Sequence, residues 1–158
     1  MDKERIAYTR KVEGIEKKYN IVLEQEDDFY ELKCKTKDNH IMGYLTFKIY
    51  DDCLWINKIE TKEKYQHKGV ANALIELVEY FAMTQRKTKI QAKYYPTNSY
   101  AKPFYQKHEY FIPNQSGTWE DYDETWTMYK DLCFEEIDKN IKPNIKFIDP
   151  IESDEENE

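Results

Sequence analysis

The feature that most constrains this chain is a change of hydrophobic period near residue 65. Before it, apolar side chains recur at every second position. Tyr30, Leu32 and Cys34 alternate with Glu31, Lys33 and Lys35, and Leu45, Phe47 and Ile49 repeat the pattern. Period two belongs to a strand with one wet face. It predicts strands over 29–36 and 41–50, followed by a more apolar, central strand over 53–60. The polar links at 37–40 and 51–52 read as turns, so these strands form an antiparallel meander. Beyond residue 65 the period lengthens. Val70, Leu74, Leu77, Val78 and Phe81 fall at helical spacing, with Asn72, Glu76 and Glu79 on the opposite, polar side. The spacing predicts a helix over 70–86. Alternation returns at Ile90, Ala92 and Tyr94, which predicts a strand over 89–95. Strand, helix, strand implies a right-handed crossover between parallel strands. The expected class is α/β (α+β), with a mixed sheet whose antiparallel meander leads into a crossover.

The flanks carry weaker patterns. Residues 11–20 are polar and lean toward a helix ending at Asn20, with strand left open for this N-terminal part; 21–25 reads as a short strand. A second helix is expected over 99–108, with Asn98 as N-cap and Pro103 just past the first turn. The last strands are expected at 110–112 and 124–132, around a loop at 113–123. A chain of 158 residues suits one domain, here 1–148, with one core. Residues 149–158 read as an acidic, disordered tail.

The formal charge of −7 is uneven: 21 basic against 22 acidic residues through Leu132, then 3 against 9. The body is near neutral, so bulk charge says little about a substrate. No basic stripe appears, and a nucleic-acid partner is not expected. Cys34, Cys53 and Cys133 form no CxxC and are odd in number, which fits a reduced, cytoplasmic setting. His40, His67 and His108 lack ligand-like spacing to those thiols, so no metal is expected. The charged start, Met1 to Arg5, precedes no apolar run, so neither a signal peptide nor a membrane span is expected.

Chemistry is signalled by the stretch Tyr65-Gln66-His67-Lys68-Gly69-Val70-Ala71-Asn72, which joins the central strand to the helix. The first N–H groups of a helix have no internal partner and lie at the positive end of its dipole. Gly69 admits close backbone approach, Ala71 is small, and Lys68 adds a charge, so the loop suits a pyrophosphate. An ordinary basic turn before a helix has the same composition. Neither GxxxxGK[ST] nor GxGxxG is present.

A second stretch runs Asn98-Ser99-Tyr100-Ala101-Lys102-Pro103-Phe104-Tyr105-Gln106-Lys107-His108-Glu109-Tyr110. With both stretches in view, the chain resembles the GNAT superfamily of acyl-CoA-dependent N-acetyltransferases. Gln66, Gly69 and Ala71 match its Q/R-x-x-G-x-G/A turn. Asn98, Ala101, Phe104, Tyr105, Lys107 and Tyr110 match its N-x-x-A-x-x-F-Y-x-K-x-G-F segment. Met128 to Leu132 looks like the closing strand, and the resemblance is strongest over 29–132. Glu109 stands where the family has Gly, which would alter the turn after the second helix.

The resemblance implies two parallel strands that splay apart to hold acetyl-CoA. The exposed backbone edge would be Ile59, Glu60 and Thr61. The pyrophosphate would sit on Gln66, His67, Lys68, Gly69, Val70, Ala71 and Asn72. Asn98 would reach the pantetheine, and Ala101, Phe104 and Tyr105 would lie beside it. It implies attack of a primary amine on the thioester in a ternary complex. Tyr105 would be the acid, with Glu60 the candidate base, directly or through a water. Their plainer readings are a packed helix residue and a strand-end charge. His67 and His108 read as solvated, and Trp55, Tyr94 and Tyr95 as packed in or around the core or cleft. The acceptor would be a small molecule or a protein amine. Asp27, Asp28, Glu120, Asp121, Asp123 and Glu124 hint at a cationic one, though solvated loops look the same. In this family two helices after the first strand shape the acceptor pocket, and the N-terminal part here is short and polar for them. Homodimers are common in the family. The alternative is a non-catalytic acyl-CoA sensor or interaction module on the same fold.

Overall fold

The computed structural model describes residues 2–94, 100–111, 126–132 and 144–148. Among the described residues eight strands form one sheet in the order β7-β6-β5-β4-β3-β2-β1-β8. They are β1 Asp2–Val12, β2 Ile15–Glu26, β3 Phe29–Lys35, β4 Ile41–Ile49, β5 Cys53–Thr61, β6 Lys89–Tyr94, β7 Trp126–Asp131 and β8 Asn144–Ile148. Every neighbouring pair is antiparallel except β5 and β6, which are joined by helix α1, Val70–Thr84. A short helix α2, Ala101–Lys107, follows β6. The meander and the crossover are thus as the periodicity predicts.

One face of the sheet holds the core. Leu32, Cys34, Leu45, Phe47, Leu54, Ile56, Ile90 and Ala92 are buried there against Val70, Ala73, Leu74, Leu77 and Val78 of α1. Alternation sends the intervening residues to the other face: Tyr44, Thr46 and Lys48 of β4, Trp55 of β5, Gln91 of β6 and Tyr129 of β7, all partly exposed. Among the described residues no helix covers that second face.

The N-terminal part departs from the helical expectation. Residues 11–20 are the two arms of a hairpin, closed by Glu13 and Gly14 with φ of 53° and 80°. Pairing of Tyr8 with Tyr19 and of Ile6 with Ile21 buries all four on the core side. Toward the turn the hairpin outruns the core. Ile15, Glu16, Lys17 and Lys18 are exposed on both faces, so their composition carries no strand period. No helix lies between β1 and β2, in keeping with an N-terminal part too short and polar for the family's two helices.

The second helix starts at Ala101 with Tyr100 at its N-cap, which corrects the placement of Asn98 there. Asn98 and Tyr95 lie outside the described residues. Pro103 falls inside the first turn, where its missing N–H would have no helical acceptor. Of 110–112, Phe111 makes a bridge, exchanging N–H to O bonds of 2.8 Å with Tyr129. β8, which pairs with β1, was not anticipated. Residues 113–123, Cys133 and 149–158 lie outside the described residues. Cys34 and Cys53 are free and buried.

Candidate active site

The two parallel strands separate. Their ladder runs from Cys53–Lys89 to Ile56–Ala92 and stops. Lys93 and Tyr94 continue on β7 alone, and β5 continues to Thr61 on β4 alone. The separation begins at a bulge: Thr46 pairs with Lys58 and Phe47 with Ile56, leaving Asn57 as the extra residue. A bulge bends its strand and increases local twist, which turns β5 away from β6. Lys62 donates its N–H to the Met42 carbonyl at 2.8 Å. By alternation the peptide groups of Ile59 and Thr61 face the gap.

The loop after β5 makes one 3-10 turn, Glu63–Tyr65, and then two left-handed residues, His67 at φ 65° and Gly69 at φ 83°. Gly69 is the N-cap of α1 and supplies no side-chain cap. The first helical bond is Ala73 N–H to the Gly69 carbonyl. The N–H groups before it are left for a ligand or water, at the positive end of the dipole. A non-glycine residue held left-handed at His67 is strain of the kind found at functional loops.

Gap, loop and α2 enclose a cleft of about 410 Å³. Its walls are Ile59, Glu60 and Thr61, then Gln66, His67, Gly69, Val70, Ala71 and Asn72, then Tyr100, Ala101, Phe104 and Lys107. Residues predicted from two separate stretches therefore meet around one space. Lys68 and Tyr105 are not on its walls.

Sequence reasoning missed how the hairpin holds this loop. The Tyr19 hydroxyl donates to the Lys68 carbonyl at 2.8 Å. Arg10 donates from Nε and Nη2 to Glu76 of α1, both at 2.9 Å, and Tyr8 donates to Glu76 at 2.6 Å. A Cβ at Gly69 would stand 2.5 Å from the Tyr19 hydroxyl and 3.2 Å from Arg10 Nη1. Gly69 is thus demanded by its φ and by the hairpin packed on it. Partners 49 to 68 residues away leave no local trace in sequence.

The polar side of α1 is fully engaged. Asn72 Oδ1 meets His108 Nε2 at 2.7 Å. His108 is half-buried beside Phe104, with ring centroids 4.9 Å apart, rather than solvated. Burial lowers its pKa to about 4, so at neutral pH the ring is uncharged and Nε2–H donates to Asn72. Glu79, expected on the polar side, is 2 % exposed. It accepts from Tyr110 at 3.0 Å and from Lys130 at 3.1 and 3.2 Å. Burial raises its pKa above the ordinary value, and the neighbouring Lys130 charge opposes the rise.

Glu60 lies at the end of β5 with its side chain 42 % exposed. Its Oε1 is 3.6 Å from Lys58 Nζ and 3.4 Å from the Tyr44 hydroxyl. Tyr105 is buried against Phe104 and Tyr110, with centroids at 5.5 and 5.3 Å. Its hydroxyl has no hydrogen-bond partner among the described residues, and burial pushes its pKa well above the usual phenol range. His67 is exposed, Tyr94 is in the core, and Trp55 lies on the open face. Asp27 and Asp28 form the β2–β3 turn. Glu120, Asp121, Asp123 and Glu124 lie outside the described residues. Among the described residues no cluster of His, Cys, Asp or Glu could hold a metal, and no helix is long and apolar enough to cross a membrane.

The fold is shared with solved acetyltransferases. The PaiA N-acetyltransferase from Thermoplasma acidophilum, in complex with coenzyme A, is 19 % identical, with a TM-score of 0.57 over 66 % of this chain. This chain spans 62 % of that one. A GNAT family acetyltransferase from Elizabethkingia anophelis with acetyl-CoA bound is 18 % identical, with a TM-score of 0.56 over 66 % of this chain and 77 % of its own. An acetyltransferase from Bacillus cereus is 23 % identical, with a TM-score of 0.55 over 66 % and 73 %. No curated protein matches significantly in sequence. The sequence profile of the Acetyltransferase (GNAT) family matches residues 3–110, from the hairpin through α2. The chain therefore belongs to the GNAT acetyltransferase family.

Proposed function

We propose that this protein transfers an acetyl group from acetyl-CoA to a primary amine by direct attack in a ternary complex. One observation carries the reading: the cleft joins an unpaired strand edge to an uncapped helix N-terminus. The edge at Ile59 and Thr61 offers peptide groups to the amides of a pantetheine arm. The N–H groups of 67–72 offer donors to a pyrophosphate. Ala101 and Phe104 supply apolar wall, and Asn98 is the family's further contact. The buried Tyr105 hydroxyl, without a partner among the described residues, supports the fit, since such a group costs stability unless something satisfies it.

Acetyl-CoA supplies an activated thioester. Glu60 stands on the cleft wall with an exposed carboxylate and takes the proton of the acceptor's ammonium, directly or through a water. Tyr105, protonated at neutral pH, holds at Oη the proton that a leaving thiolate requires. A second reading, an acyl-CoA sensor without transfer, draws on one observation: Tyr105 lies in the core and not on the cleft wall.

The test pairs thermal melts with thiol release on a panel of amines. Acetyl-CoA raises the melting temperature by mass action. Tyr105→Phe keeps that rise and loses turnover by roughly 10²-fold or more. It also leaves the apo protein as stable or more stable, because an unsatisfied buried hydroxyl is removed. Stabilisation without turnover on any amine selects the sensor, and no stabilisation by any acyl-CoA overturns both readings.

A further inference from the structure

We infer that the acceptor is zwitterionic: an amine that carries an anionic group close to its nitrogen, such as an amino acid or a peptide with an acidic side chain. The inference rests on the acetyl-transfer reading above and adds the class of acceptor. The gap between β5 and β6 perforates the sheet. On the core side it is closed by α1, α2 and the loop that line the cleft. On the other side no described helix covers it, so an acceptor reaches a thioester in the gap from the open face.

The side chains at that opening have a definite charge pattern. Glu60 is flanked by Lys58, 3.6 Å away with its side chain 59 % exposed. Lys93, on the facing strand, is exposed and lies 5.5 Å from the Trp55 ring centroid. Lys58 lies 5.7 Å from that of Tyr44. Among the described residues two ammonium groups thus sit on aromatic platforms on the open face, Lys58 over Tyr44 of β4 and Lys93, reaching from β6, over Trp55 of β5, with the Glu60 carboxylate beside Lys58 where the gap opens. Aromatic faces hold a cation in place without neutralising it. An acceptor ammonium meets Glu60, and a nearby anion meets Lys58 and Lys93. A polycation would place its remaining charges against both lysines. The described side chains at the opening therefore favour a zwitterionic acceptor over a polycation.

The experiment measures thiol release with acetyl-CoA and matched acceptors: amino acids against their carboxamides, Glu-containing against Gln-containing dipeptides, and spermidine. The anionic member of each pair has the lower KM, and added salt narrows the difference. Lys93→Glu raises KM for the anionic members about tenfold. It leaves KM for the amides and the acetyl-CoA melting shift unchanged. Lys58→Gln acts in the same direction. Preference for spermidine, or an unchanged KM in Lys93→Glu, overturns this inference and leaves acetyl transfer standing. Absence of any acetyl-CoA melting shift in the unmodified protein removes the acetyl-transfer reading and this one with it.

Discussion

At Gly69, two requirements fall on one residue: a left-handed backbone and room for the Tyr19 hydroxyl. Gly69→Ala therefore lowers the melting temperature and weakens acetyl-CoA stabilisation. Tyr19→Phe forfeits the bond to the Lys68 carbonyl, about 1 kcal/mol, but removes the obstructing oxygen. The double variant melts above Gly69→Ala alone; a double variant no better than the single would show that Tyr19 is not the obstruction. His108 gives a pH prediction at the same scale. Its folded pKa, about 4, lies below the ordinary 6.5. The neutral form is favoured by folding, so its contribution is complete above 6.5 and is lost as pH falls toward 4. Melting curves from pH 7 to 4.5 should fall more steeply for the unmodified protein than for His108→Gln. Parallel curves would mean that burial of this ring does not contribute to acid sensitivity.

Both helices end in the same device. After α2, Tyr110 N–H bonds the Tyr105 carbonyl and Glu109 N–H bonds that of Gln106. After α1, Lys87 N–H bonds the Ala82 carbonyl and Arg86 N–H bonds that of Met83. These Schellman caps need a left-handed residue, held here by Glu109 at φ 70° and Arg86 at φ 56°. The turn after α2 thus keeps its left-handed residue although Glu109 replaces the family's Gly. Glu109→Gly relieves roughly 1 kcal/mol and raises the melting temperature by about 2–4 °C, read by thermal melts. An unchanged or lower value would show that the Glu109 side chain compensates for its backbone. Elements were readable in sequence where one face is buried and the other wet, as in β3, β4 and α1. They were not readable where both faces are exposed, as at 15–18 in β2, or where a strand is as short as β8. The cleft walls were readable because two motifs carry them. Arg10, Tyr19 and the burial of Glu79 were not, since each depends on a contact far along the chain.

For the molecule as a whole, the uneven charge has a physical reading. Residues 149–158 carry six of the carboxylates. Deleting them should leave the acetyl-CoA melting shift unchanged, because they lie outside the stretch, residues 3–110, that matches the family. A lost shift would place that segment within the folded unit. The sheet is closed by its most distant partners: Arg5 stands opposite Ile148, and Thr9 opposite Asn144. Pairing them costs more loop entropy than any other contact in the sheet, so this edge forms after the meander. Strands β1 and β8 are also antiparallel neighbours, the arrangement that circular permutation needs. A short linker between them, with new termini at the exposed Glu13–Gly14 turn, would turn the costliest closure in the fold into a hairpin.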